Sequence, residues 1–113
     1  MMRDAQRIAH MLGFVRRSLQ ILDGVDREQY LSSLGLQEQL ELNMIHLGEA
    51  AARISEDIRE SHLDIPWHEM VGMRNVLTHE YFRIKPIILF DTVMSEFERL
   101  EQNLDRLQDE YPV

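Results

Sequence analysis

Apolar side chains recur at steps of three and four residues along almost the whole chain, which is the spacing of one face of an α-helix. The first such stripe comprises Ile8, Met11, Leu12, Val15, Leu19 and Leu22. Asp4 is suited to cap or charge the start of this helix, and Gly24 is suited to end it. A strand would need its apolar residues at every second position, so the pattern favours helices.

Three further segments continue the helical pattern. The second stripe has members about 3.5 residues apart, a spacing that favours lengthwise helix packing: Leu40, Met44, Leu47, Ala51, Ile54 and Ile58. Pro66 interrupts it and suits the first turn of a short helix from Trp67 to about His79, in which Gly72 indicates close backbone packing. The last stripe follows Pro86 and predicts a helix of about 22 residues: Phe90, Val93, Met94, Phe97, Leu100, Leu104 and Leu107.

Three long helices and one short helix with short connections predict an all-α protein, an up-and-down four-helix bundle. The chain has 113 residues, which is room for one domain, so we expect residues 1–113 to form a single domain. Phe90, Met94 and Phe97 are large side chains for so small a bundle to bury. A homodimer would cover any that stay exposed.

The composition excludes several classes of protein. The chain has no Cys, which removes disulfides, thiolate nucleophiles and Cys-ligated zinc. No apolar run approaches the roughly 20 residues that a membrane span needs, and the first residues lack the apolar core of a signal peptide. We therefore expect a cytoplasmic protein with no membrane association.

The net charge of −8 argues against broad electrostatic binding of nucleic acid, which requires many phosphate contacts. All basic residues except Lys85 are Arg, whose planar fork matches two phosphate oxygens at once. The charge balance thus predicts weak non-specific binding, while a local phosphate site remains compatible with it.

Familiar metal and phosphate motifs are missing from the sequence. His68-Glu69 begins like a zinc-protease helix, but Gly72 stands where the second His is required. The five His residues have no ligand spacing, the Glu-x-x-His pairs of di-iron bundles are absent, and there is no Gly-rich phosphate loop. We therefore expect no metal and no cofactor.

The remaining chemistry is concentrated between Met73 and Tyr81. On a regular helix Arg74 and His79 are about 140° apart, so they would not face the same point. Either the helix unwinds near Thr78-His79, or these residues converge with copies from a second subunit. Both alternatives place a cationic Arg and a titratable imidazole in one cleft, a pairing suited to phosphodiester chemistry.

These residues resemble the signature of the HEPN superfamily, specifically its HepT toxin group. The signature is an Arg, four residues, a His, one residue and a Tyr, matched by Arg74, His79 and Tyr81. The flanking residues also match: Ile65-Pro66-Trp67, Gly72-Met73-Arg74-Asn75, Tyr81-Phe82, Arg3-Asp4 with Arg7-Ile8, and Leu47-Gly48-Glu49-Ala50-Ala51. The resemblance covers nearly the whole chain in order.

The resemblance implies an all-helical, homodimeric ribonuclease toxin of a two-gene toxin–antitoxin module, acting without a metal. Arg74 and His79 of both subunits would line one groove across the interface. His79 would act as general base or acid on the ribose 2′-hydroxyl, Arg74 would stabilise the scissile phosphate, and Asn75 would assist. The products would be a 2′,3′-cyclic phosphate and a 5′-hydroxyl, so DNA would not be cut.

The resemblance gives Tyr81 a separate role. Its implied partner is a small nucleotidyltransferase antitoxin of the MNT type, which would transfer AMP from ATP to the Tyr81 hydroxyl. The added bulk and negative charge would block RNA from the groove. ATP would then be the substrate of the antitoxin and not a cofactor of this chain.

Two other functions remain open at this point. The chain could be a non-catalytic helical partner that binds a nucleotidyltransferase, which the acidic composition favours, or a structural helical dimer. Glu49 could support the catalytic residues from beside the cleft, or it could be a solvated charge on a helix face.

Overall fold

The structure, a computed structural model, describes residues 3–80 and 83–113. Their regular secondary structure consists of helices, which confirms the all-α prediction. In chain order these are α1 (Asp4–Leu22), α2 (Arg27–Leu31), α3 (Leu34–Ala52), α4 (Glu56–Ser61), α5 (Trp67–His79) and α6 (Pro86–Glu110).

The three long helices enclose the core. Helix α1 packs against both α3 and α6, and α5 has its main contact with α3. The predicted stripes supply the buried side chains, and those with no exposed surface include Ile8, Met11, Val15, Leu40, Ala51, Val93 and Leu104. Helix α5 adds Trp67, Met70 and Leu77 to this core.

The predicted ends of α1 and α5 agree with the structure. Helix α1 begins at Asp4, where the Arg3 N–H donates to Gln6 Oε1 at 3.0 Å. Gly24 follows the end of α1 with a φ of +73°, a left-handed conformation that glycine adopts without strain. Helix α5 runs from Trp67 to His79, as its spacing predicts.

The second stripe is divided between two helices, although its unbroken spacing predicts one. Helix α3 ends at Ala52 and α4 begins at Glu56. The break is held by α1, since Arg7 Nη1 donates to the Arg53 carbonyl oxygen at 2.8 Å and the Ser55 N–H donates to Asp4 Oδ1 at 3.0 Å. Ile54 and Ile58 nevertheless stay buried, so the stripe predicts the core correctly but not the helix end.

The segment between α1 and α3 contains a short helix. This helix, α2, occupies residues Arg27–Leu31 and includes Tyr30. Asp26 accepts from the Gln29 N–H at 2.8 Å at its start, and Ser33 accepts from the Leu36 N–H at 3.2 Å at the start of α3. These caps explain why two helices form there in close succession.

Helix α6 buries two of the three large apolar residues that we expect a small bundle to have difficulty covering. Phe90 and Phe97 are buried, whereas 57% of the Met94 surface is exposed. Among the described helices, none is long and apolar enough to cross a membrane.

Candidate functional site

The start of α5 is anchored by the loop that precedes it. Trp67 is buried, and its Nε1 donates to the His62 carbonyl oxygen at 3.0 Å. The buried Asn103 of α6 donates to the Asp64 carbonyl oxygen at 3.2 Å, which ties the same loop to the long C-terminal helix. The candidate residues further along α5 are therefore carried on a helix whose first turn is fixed.

Arg74 lies where α5 crosses α3 most closely. A Cβ atom built on Gly48 would be 2.3 Å from Arg74 Cβ and 2.6 Å from the Met70 carbonyl oxygen. The predicted close packing at Gly72 is wrong, because a Cβ there would meet nothing within 4 Å. The close approach occurs at Gly48 instead, since α3 presents its glycine to α5 and Gly72 faces open space.

Arg74 is partly buried as a residue, and its Nε is buried with no hydrogen-bond partner among the described residues. No carboxylate of residues 3–80 or 83–113 forms a salt bridge with it. The Nε atoms of Arg7 and Arg59 are buried without a partner in the same way, so this atom does not distinguish Arg74. The charge of Arg74, which no described carboxylate pairs with, is the property that suits a phosphate ligand.

His79 lies at the other side of the same helix. Helix α5 remains helical through His79, so unwinding near Thr78 does not bring it to the face of Arg74. Thr78 Oγ1 donates to the Arg74 carbonyl oxygen at 2.6 Å and follows the helical pattern. His79 and Asn75 are both exposed, and the five-residue step leaves His79 about 140° from Arg74 around the axis. Within one subunit the two side chains do not converge.

The residues on either side of the signature Tyr are joined to each other. The Glu80 N–H donates to the Val76 carbonyl oxygen at 2.7 Å and ends α5. Arg83 donates from its backbone to the Glu80 carbonyl oxygen at 2.8 Å and from Nη1 to Glu80 Oε1 at 3.1 Å. Tyr81 itself lies outside the described residues.

Glu49 follows Gly48 on α3 and is exposed. Within the part of the chain that the structure describes, it takes part in no salt bridge. The role of Gly48 as the contact point of Arg74 is the feature that the sequence reasoning did not assign. Its signal was a glycine inside a helix at a position where the helix face is otherwise apolar.

A cleft of about 240 Å³ opens between α3, α5 and α6, but it is separate from the candidate residues. It is lined by Met44, Leu47, Asp64, Pro66, Glu69, Met70, Met73, Thr92, Glu96, Phe97, Arg99, Leu100 and Asn103. Neither Arg74 nor His79 lines it. In residues 3–80 and 83–113, no group of three or more His, Asp or Glu side chains could hold a metal ion.

Several known proteins that are similar to this chain have names that describe ribonucleases. A protein of Caldanaerobacter subterraneus subsp. tengcongensis, provisionally named as an RNase, is 27% identical over 100 residues, which are 88% of this chain and 89% of the relative. A Methanocaldococcus jannaschii protein with a similar provisional name is 39% identical over 59 residues, or 52% of this chain and 54% of the relative.

A Thermococcus cleftensis protein named "Probable ribonuclease HepT" is 36% identical over 62 residues, or 55% of this chain and 56% of the relative. These last two alignments span about half the length of each relative. No solved structure matches the chain. The sequence model of the family described as "Ribonuclease HepT-like" matches residues 11–107, which include α5 and both Arg74 and His79. The chain belongs to the HepT-like ribonuclease family.

Proposed function

We propose that the chain, a single domain over residues 1–113, is a metal-independent endoribonuclease and the toxin of a two-gene toxin–antitoxin module. The observation that carries the proposal is the family match across α5, together with the lack of a carboxylate partner for Arg74 among the described residues. Arg74 is partly buried, and no carboxylate of the described residues pairs with its charge, which leaves that charge for a phosphate. The names of the relatives support the same reaction class.

The active unit in this proposal is a homodimer. Arg74 packs toward α3 while His79 faces away from it, so one subunit cannot direct both groups at one phosphate. A second copy can, because its α5 adds another Arg and His to a shared groove. The exposed Met94 is compatible with a further apolar contact. Sedimentation should then give twice the chain mass of 13.4 kDa at working concentration.

In the proposed reaction His79 removes the proton of a ribose 2′-hydroxyl, and the oxygen attacks the adjacent phosphorus. Arg74 donates to the phosphate oxygens and stabilises the negative charge that develops on them. The bond to the 5′-oxygen breaks, and an imidazolium supplies the proton that this oxygen takes up. Asn75, exposed one residue after Arg74, assists by hydrogen bonding to the same phosphate, and Glu49 supports the site from α3.

The test is cleavage of RNA in the presence of EDTA by the wild type and by His79→Ala. Removing a general acid–base typically costs 10²–10⁴-fold in rate, so we expect a loss of about that size. His68→Ala is the matched control, because His68 is also an exposed His of α5 but lies outside the motif. DNA of the same sequence should remain intact. Equal cleavage by the wild type and His79→Ala contradicts the proposal.

The proposal also includes a partner, an MNT-type nucleotidyltransferase antitoxin that transfers AMP from ATP to Tyr81. Mass spectrometry after incubation with such an enzyme and ATP should show added AMP on the wild type and none on Tyr81→Phe. Tyr111→Phe is the control and should gain the same mass as the wild type. A mass gain that persists in Tyr81→Phe excludes that residue as the acceptor.

One observation favours a second function, a non-catalytic partner of a nucleotidyltransferase. The net charge of −8 opposes RNA binding but does not hinder binding to another protein. This function requires a stable complex with the nucleotidyltransferase and no cleavage of RNA by the purified dimer. The EDTA assay therefore separates the two.

A further inference from the structure

The crossing of α3 and α5 is closer at Gly48 than any side chain would allow. Gly48 is buried, and a Cβ atom at this position would lie 2.3 Å from Arg74 Cβ and 2.6 Å from the Met70 carbonyl oxygen. Carbon atoms in contact are normally about 3.5–4.0 Å apart. The hydrogen atom of Gly48 is thus what permits α5 to lie at its present distance from α3.

The atoms that such a Cβ would meet cannot move aside on their own. Arg74 Cβ and the Met70 carbonyl oxygen are both fixed by the backbone of α5, so no change of rotamer relieves the overlap. A methyl group at position 48 would therefore push α5 away from α3 by about 1 Å or more. Because α5 has its main contact with α3, Arg74 and His79 would move together with the helix.

We propose that Gly48 is a positioning residue for the nuclease reaction: it sets the distance of α5 from α3 and thereby the place of Arg74 and His79 in the groove. The inference rests on the proposed function for its effect on catalysis. A displacement of about 1 Å at reacting groups can cost about 10²-fold in rate. Gly48→Ala should accordingly lower kcat by about 10²-fold or more while the protein is still folded.

Two control variants separate positioning from loss of stability. Gly13→Ala adds the same methyl group inside α1, where it would meet nothing within 4 Å, so kcat should stay within about twofold of the wild type. Val15→Ala removes buried volume from α1, away from α5, so it should lower the urea midpoint without changing kcat of the folded protein. A glycine needed only for packing would make Gly48→Ala behave like Val15→Ala.

The experiment measures kcat and KM on RNA at a temperature at which circular dichroism shows every variant to be folded. A folded Gly48→Ala with kcat near that of the wild type overturns the inference. A low kcat in Gly48→Ala, with both controls near the wild type, supports it.

A readout that needs no RNA keeps this inference distinct from the proposed function. Trp67 is the single Trp of the chain, is buried, and lies in the first turn of α5. Its fluorescence should shift to longer wavelength in Gly48→Ala and stay unchanged in Gly13→Ala and Val15→Ala. If the wild type does not cut RNA but this shift occurs, the nuclease proposal fails, and the inference that Gly48 sets the distance between α3 and α5 stands. Unchanged fluorescence in folded Gly48→Ala overturns that inference.

A second background covers the case in which Gly48→Ala does not fold. Arg74→Gly removes the closer of the two atoms that the new methyl group would meet. Adding Gly48→Ala to Arg74→Gly should then lower the urea midpoint less than adding it to the wild type. Equal or larger losses in the Arg74→Gly background contradict the contact on which the inference depends.

Discussion

Tyr30 ties α2 to the first turn of α6 through a fully buried phenol. Its hydroxyl donates to the Pro86 carbonyl oxygen at 2.9 Å, and its ring centroid lies 5.2 Å from that of Phe90. Burial, and to a smaller extent the nearby carboxylate of Glu41, raises the pKa of Tyr30 to about 12. This contact joins α2 to the start of α6, the helix that follows the segment with Arg74 and His79.

The raised pKa predicts a loss of stability in alkaline solution. An unfolded Tyr titrates near pH 10, so above that pH the unfolded chain releases a proton that the folded chain retains. The contribution of Tyr30 is therefore complete below about pH 10 and declines as the pH rises toward 12. Since one pKa unit corresponds to about 1.36 kcal/mol, the free energy of unfolding should fall by about 1.3 kcal/mol between pH 9 and pH 11.

Urea unfolding of the wild type and Tyr30→Phe at both pH values measures this effect. At pH 9 the variant should be less stable by about 0.5–1.5 kcal/mol, because it loses the hydrogen bond to Pro86. At pH 11 that deficit should shrink by about 1.3 kcal/mol or change sign. Other titrations act equally on both proteins and cancel in the difference. A deficit that is the same at both pH values would refute the reasoning.

Two further predictions concern charge and pH. Glu41→Gln should raise the thermal midpoint near pH 7 by about 2 °C. Burial, and to a smaller extent the nearby carboxylate of Glu38, raises the pKa of Glu41, so its ionised form costs stability at this pH. An unchanged midpoint in calorimetry argues against this. His62 Nδ1 lies 2.8 Å from the Ile58 carbonyl oxygen and Nε2 lies 3.0 Å from Glu110 Oε2, so only the imidazolium donates to both. The hydrogen bond to Ile58 raises the pKa of His62 most, the Glu110 contact adds to it, and burial opposes both. The stability that this contact contributes is complete below about pH 6.5 and is lost as the pH rises through the pKa of the folded protein. The urea midpoint of the wild type should therefore fall between about pH 6 and pH 8, and the midpoint of His62→Gln should fall less. Parallel profiles for the two proteins would count against it.

Sequence patterns predict a helix end correctly where the end depends on residues that are close together in the sequence. Helix α5 begins and ends where Pro66 and the apolar spacing predict, because both act through the backbone of the same few residues. The same reasoning fails at residues 53–55, where the apolar spacing continues but the helix stops. There the backbone groups of Arg53 and Ser55 bond to Arg7 and Asp4, which are distant in sequence.

Two of the helical glycines, Gly48 and Gly72, illustrate what periodicity leaves undecided. Gly48 and Gly72 are both flanked by helix-forming residues, and their local sequence does not state which one meets another helix. Packing decides it, since the α3 surface at Gly48 receives Arg74 and Met70 while Gly72 faces open space. Close approach is a property of two surfaces, and the sequence of one segment describes only one of them.

The candidate site divides in the same way. Apolar spacing suffices to predict that the chain is helical, that Arg74 and His79 share α5, and that five helical residues separate them by about 140°. Which of the two residues faces the bundle depends on how α5 packs against α3. Arg74 packs inward on α3 at Gly48 and His79 is left exposed, because the helix turns its apolar Met70 and Leu77 toward the core, and Arg74 follows that face while His79 does not.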